Sequence, residues 1–296
     1  MPRAVTIYLE EPLLQSARDG RHNFIGLVTD VLRDAGYGVA FAPLGTPFRA
    51  DAPALTHMAP PPPGGLTFRR AYHYPFWAIE TTAERWNWHV ASQPFQPQSV
   101  ADQPARRTYD RWRERLFPGL TEAPQREGLI YVPLQGRLLD HRSFQSCTPV
   151  EMLSLTLAAD PARDVVATLH PKETYGADEL DALHSLAARN PRLTILTGAM
   201  KDMLARCDYV VTMNSAAAFN AFFFGKPSIL FAKIDFHHIC LTASPQDLGA
   251  FDGIATHAPD YAHYLWWFWQ ENCINAGRPD VKERIREALI RGGWSI

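Results

Sequence analysis

The chain has 296 residues, 46% of them hydrophobic and 20% charged, with a formal net charge of -2. That length predicts one large or two modest domains with a substantial core, and the near-neutral charge gives no basis for binding nucleic acid. No apolar run approaches the ~20 residues that span a bilayer, and Glu10 and Glu11 stand where a signal peptide would continue its apolar core. Cytoplasmic residence is the expectation, with room for peripheral attachment to a membrane. The cysteines (Cys147, Cys207, Cys240 and Cys273) are dispersed without a CxxC pair. They predict reduced, mostly buried thiols rather than a disulfide framework or a structural zinc site.

In chain order, AVTIYLEEP reads as a strand that ends in a polar turn. Residues 23–35 carry Phe24, Leu27, Val28, Val31 and Leu32 at helical spacing, with Asn23 as a cap and Gly36 as a stop. YGVAFAP is a second strand, so the chain opens as a βαβ unit, which implies a parallel sheet and a right-handed crossover. Residues 45–66 are rich in proline and glycine and predict an exposed connector. The aromatic block at 68–91 contains Tyr72, Tyr74, Phe76, Trp77, Trp86 and Trp88 beside Arg69, Arg70, His73, Glu80 and Arg85. It reads as a packed helix with wet aromatic rims. Because sugar sites set aromatic faces beside hydrogen-bonding groups, it also reads as an acceptor surface. ARRTYDRWRERLFPGL follows as a basic helix with a solvated face, ending at Pro118-Gly119.

From about residue 126 the pattern is more regular. GLIYVPLQ, DVVATLHP, RLTIL, DYVVTM and PSILFA read as strands. Between them TPVEMLSLTLAA, capped by Thr148, then GADELDALHSLAARN, AMKDMLARC and SAAAFNAFFF read as helices. Strands alternating with helices are the signature of a doubly wound α/β domain. RPDVKERIREALIRGG is an amphipathic terminal helix. The expected division is an α/β domain over 1–125, with the Pro-rich loop and the aromatic block, and a second α/β domain over 126–296.

In an open parallel sheet, ligands gather outside the carboxyl ends of the strands. After LIYVPLQ come Gln135, Arg137, Asp140, His141 and Arg142; after VVATL come His170, Lys172 and Glu173. After YVVTM come Asn214 and Ser215, and after SILFA comes Lys233, with Asp235, His237 and His238 close behind. These groups suggest anion handling. Asn214 or Ser215 caps a helix whose first N–H groups are unpaired, and the small alanines that follow leave room for a phosphate. His170, Lys172 and Lys233 could add donors and positive charge. Neither GxGxxG nor GxxxxGK[ST] is present. Adjacent histidines on a strand point to opposite faces, so His237-His238 and His141 predict no metal site.

The order YVPLQ…D, LHPKE and CDYVVTMNSAAAFNAFFFGKPSILF resembles the capsule polysaccharide synthesis family, over residues 128–245. That family includes bacterial β-Kdo transferases and is distantly similar to bacterial sialyltransferases. The resemblance implies a GT-B-like α/β fold: two Rossmann-like domains facing a cleft, with the C-terminal helix crossing back. It implies a glycosyltransferase that uses a CMP-activated acidic, Kdo-like sugar and a saccharide acceptor, without metal or cofactor. His170, Ser215 and its helix start would hold the donor phosphate, with Lys172, Asn214 and Lys233 beside them. Gln135 and Asp140 would lie near the transferred sugar.

Of the catalytic candidates Asp140, His170 and Glu80, Asp140 would act as nucleophile or electrostatic partner of the oxocarbenium-like centre. The base would be Asp140 or Glu80. The alternative for Asp140 is a salt bridge to Arg137 or Arg142. Where the family places glycine and then glutamate after Asn-Ser, this chain has Ala218 and Asn220. That departure supports a second reading, a non-catalytic saccharide- or nucleotide-binding protein of polysaccharide assembly or export. A third is an epimerase-like or hydrolytic enzyme on nucleotide sugars.

Overall fold

The computed structural model describes residues 3–120 and 125–296. The chain divides into two compact units, 1–93 with 267–296, and 94–266. The first opens with β1 (Arg3–Leu9), α1 (Leu13–Arg18), α2 (Asn23–Asp34) and β2 (Tyr37–Pro43). The expected βαβ opening is present, and β1 and β2 pair in parallel. Asn23 is the first helical residue of α2, not its cap; His22 is the cap, and its Nδ1 accepts the Ile25 N–H at 3.2 Å. Gly36 follows at φ 85°, a conformation that ends helices cheaply only in glycine.

Two expectations for the next segment are corrected. Residues 54–57 are not connector: Ala54–His57 form β3, buried at all four positions and parallel to both β1 and β4 (Leu66–Arg70). A strand of four residues between prolines is too short to show a period. The aromatic block is not a helix either. β4 pairs antiparallel with β5 (Phe76–Glu80), and α3 (His89–Ser92) is a single turn. The strand geometry shows in Phe76 and Trp77, neighbours that face opposite ways. Phe76 stacks on Trp269 at 4.4 Å and Trp77 on Phe24 at 4.6 Å. Phe76, Trp77 and Trp88 are buried, so their ring faces are spent on packing.

The second unit begins with α4 (Asp102–Leu116), which buries Ala105, Thr108 and Trp112. It continues through β6 (Leu129–Pro133), α5 (Pro149–Ala159), β7 (Asp164–Leu169), α6 (Ala177–Arg189) and β8 (Leu193–Thr197). Then follow α7 (Met200–Arg206), β9 (Tyr209–Thr212), α8 (Ala216–Ala221) and β10 (Ser228–Leu230). It closes with β11 (Leu241–Thr242), α9 (Ala250–Gly253) and α10 (Tyr261–Trp266). Thr148 caps α5 through a full capping box with Glu151. The expected helix over 215–224 is α8 followed by a 3-10 turn, and Gly225 at φ 62° ends it.

The sheet order is β11-β10-β9-β6-β7-β8, every pair parallel. Read from the other edge, this is the doubly wound order 3-2-1-4-5-6 with its reversal between β6 and β9. Ile130, Val132, Val165, Tyr209 and Val211 form the core with Met152, Leu153 and Leu183 from the helices.

The chain then returns to the first unit. β12 (Ile274–Asn275) pairs antiparallel with β5, completing the order β12-β5-β4-β3-β1-β2. α11 (Val281–Arg291) puts Val281, Ile285, Ala288 and Leu289 into the same core as Phe24, Val28 and Leu32. Beyond it, Trp294 Nε1 donates to Gly64 O at 3.0 Å and Tyr37 Oη to Ser295 O at 3.0 Å. The division at 93/94 and 266/267 differs from the expected one at 125/126 for a packing reason. α4 lies against α10, and its Tyr109 Oη and Arg113 Nε donate to Phe222 O and Phe223 O, at 2.9 and 3.1 Å. Its buried face therefore belongs to the second unit. Among the described residues, no helix is long and apolar enough to cross a membrane.

Candidate functional site

The order of the second sheet fixes where a site forms. At such a reversal the helices that follow the two central strands leave to opposite faces, and ligands gather outside the carboxyl edge between them. Thr212 Oγ1 donates to Pro133 O at 3.1 Å, tying the last residues of the two strands together. Gln135 and Asn214 therefore emerge side by side. Gln135 is half-buried; Asn214 Nδ2 donates to Lys233 O at 3.4 Å, which ties in the end of β10. On the other flank, the Gly136 N–H donates to the Glu173 carboxylate, which links the end of β6 to the loop after β7.

His170 is exposed in that loop. Its N–H donates to Tyr175 Oη at 2.9 Å, and its Nδ1 accepts the Lys172 N–H at 3.3 Å. With Nδ1 as acceptor, the neutral ring carries its proton on Nε2, which is left as an outward donor. The Lys172 and Lys233 side chains are exposed. Ser215 is buried, 7% exposed, and its Oγ is occupied by the Ala217 N–H at 3.2 Å. Its hydroxyl is thus a cap, on a helix of six residues.

Asp140 pairs with Arg137 at 3.0 Å, and both side chains are largely exposed. Of the two partners considered for it, Arg137 is the one in place. Exposed pairs of this kind contribute little to stability. Gln135, Asp140, His170, Lys172, Asn214, Ser215 and Lys233 thus all follow strands of one parallel sheet. Glu80 lies in the other unit. It is 9% exposed, and its Oε2 accepts the His89 N–H at 3.1 Å.

The Gly-Lys-Pro turn has a structural job. Lys226 is fully buried, and its Nζ donates to Cys207 O at 2.6 Å and to Gln125 O. Burial pulls its pKa below the usual lysine value. His237 and His238 lie in a 3-10 turn rather than a strand, with rings stacked at 4.2 Å. Their Nδ1 atoms face Ile234 O and Tyr264 Oη. Among the described residues, no cluster of three or more His, Cys, Asp or Glu could hold a metal ion. All the cysteines are free thiols, three of them buried.

Sequence reading missed one feature in the first unit. Glu10, just after β1, and His57, the last residue of β3, meet at 2.6 Å at the carboxyl edge of adjacent parallel strands. The residue after His57, Met58, has φ 56°, rare outside glycine.

No protein-family model and no curated protein matches the chain. Among solved structures, the β-Kdo 2,7 transferase KpsC of Thermosulfurimonas dismutans is similar over 99% of this chain and 100% of its own, with 14% identity and a TM-score of 0.50. The β-Kdo 2,4 transferase KpsC of the same organism is similar over 90% of this chain and 89% of its own, with 11% identity and a TM-score of 0.46. At such identity the likeness is one of architecture, and at that level it bears out the resemblance read from the motifs: the chain has a GT-B-type α/β fold.

Proposed function

We propose that the chain is a glycosyltransferase of surface polysaccharide synthesis, using a nucleotide-activated sugar as donor and a saccharide as acceptor. The observation that carries this reading is the 3-2-1-4-5-6 order of the second sheet. Its reversal point is flanked by Gln135 on one strand end and by Asn214-Ser215 on the next. A likeness along the whole chain to a protein described as a β-Kdo transferase supports a CMP-activated, Kdo-like acidic sugar as the donor. His170 Nε2–H and the Asn214 amide stabilise the leaving phosphate, with Lys172 and Lys233 adding positive charge. Asp140 supports the oxocarbenium-like centre or attacks it. Asp140 also suits the base role better than Glu80, because Glu80 is buried with one oxygen occupied.

One observation favours the non-catalytic reading. Where the family has glycine and glutamate, Ala218 is fully buried and Asn220 points its amide at Met200 Sδ, 3.4 Å away, so neither supplies a carboxylate. Thermal shift with CMP, UDP and oligosaccharide separates the two. A transferase gains about 2.7 kcal/mol from its nucleotide at 100-fold excess over the dissociation constant. Stabilisation by oligosaccharide alone would identify a saccharide-binding protein instead.

A further inference from the structure

The carboxyl edge of the second sheet holds a cation that none of the roles above employs. Arg142 lies in the segment that leaves β6, crosses the edge and reaches the end of β10. There, Ser146 N donates to Phe231 O at 2.8 Å, Lys233 N donates to Phe144 O at 2.9 Å, and Gln145 bridges to Ala232. From that anchored position the guanidinium folds back to the end of β6. A Cβ on Gly136 would stand 3.2 Å from its Nη2 and 3.4 Å from its Nη1, and Gly136 has φ 70°. The backbone conformation favours glycine at 136, and the absence of a side chain leaves room for the close approach of the arginine.

The group is positioned but not neutralised. The Arg142 N–H donates to Gln145 Oε1 at 2.8 Å, and the guanidinium carbon stands 4.8 Å from the centre of the Phe144 ring. Among the described residues its buried Nε has no hydrogen-bond partner, and neither has Nε2 of Gln145, a residue only 6% exposed. The nearby carboxylates are engaged elsewhere: Asp140 with Arg137, and Glu173 on the Gly136 N–H. Among the described residues, Arg142 makes no ion pair. Two buried donors within four residues, one of them on a cation, find no acceptor among the described residues, where buried donors are ordinarily paired. A planar guanidinium with free edges suits a tetrahedral oxyanion better than a single carbonyl.

We infer that Arg142 and the Gln145 amide form the oxyanion subsite for the donor's phosphate, supplying a half-buried, positioned charge where Lys172 and Lys233 are exposed. This rests on the donor-site reading above, and the ligand class is a nucleoside monophosphate group esterified to a sugar. The test is calorimetric titration of wild type, R142Q and R142K with CMP, cytidine and inorganic phosphate, with circular dichroism to check folding. Wild type should bind CMP, and R142Q should bind it at least ~10-fold more weakly with cytidine binding unchanged. R142K keeps a cation without the fork, so it should fall between them. CMP binding by R142Q equal to wild type overturns this inference and leaves the donor site standing. Phosphate binding that needs Arg142, without any nucleotide binding, keeps the subsite and overturns the donor reading. Binding of neither ligand by wild type overturns both.

Discussion

Thr212 and Pro133 are joined by a hydrogen bond from hydroxyl to carbonyl, 3.1 Å long and wholly buried. It clamps the two strand ends that carry Asn214 and Gln135. Thr212→Val keeps the shape and removes the donor, at a cost of about 1 kcal/mol. Urea unfolding should show that loss, with nucleotide affinity falling as well because the strand ends are no longer registered. Unchanged stability together with unchanged affinity would remove the clamp from the account.

Asp140→Ala should abolish sugar transfer while leaving nucleotide affinity within a few-fold of wild type, since the side chain is exposed and its Arg137 pair contributes little. Transfer near the wild-type rate would move the role to another carboxylate.

His170→Ala should weaken CMP binding and transfer together, because Nε2 is the free donor of a ring whose Nδ1 is already bonded to the Lys172 N–H. His170→Gln, whose amide nitrogen reaches close to where Nε2 stands, should recover part of both. Equal loss in the two variants would argue for a packing role instead.

At the opposite, amino-terminal edge of the same sheet, Asp160 accepts from Arg163 Nη1 and from Tyr209 Oη, each at 2.7 Å, with its side chain 9% exposed. Burial raises its pKa, but the Tyr209 and Arg163 hydrogen bonds outweigh it, and the net shift is downward. A depressed carboxylate contributes stability that is complete above the unfolded value near 3.8 and is lost as pH falls below it. Asp160→Asn should cost about 1.5–3 kcal/mol by weakening the hydrogen bonds from Tyr209 and Arg163, while Arg163 keeps its pair with Asp208 at 2.7 Å, and the loss reads as a lower urea midpoint.

The first unit titrates in a different window. Burial lowers the pKa of His22, His57 and His89 from the ordinary 6.5, with Glu10 partly opposing the shift at His57. Their unfolded forms take protons first, so stability is complete above 6.5 and declines as pH falls below that value. Tryptophan fluorescence melts from about pH 8 to about pH 5 should show a falling midpoint. A flat profile would mean these rings are not buried in solution.

The sequence by itself determined the elements whose signals are local. β6 through β10 and the helices between them were legible because apolar periodicity, the Thr148 cap and the Gly225 stop all act within a few residues. The placement of polar groups after those strands was legible for the same reason. Tertiary structure alone decided what depends on distant partners. β3 is a strand only because β1 and β4 flank it. The aromatic block became a hairpin because Trp77 stacks on Phe24 and Phe76 on Trp269. β12 rejoins the first unit by pairing with β5, far earlier in the chain. The approach of Arg142 to Gly136 likewise depends on the segment being tied to β10. Periodicity specifies which residues face inward; which surface they meet is settled only when long-range pairing satisfies every buried backbone and side-chain group at once.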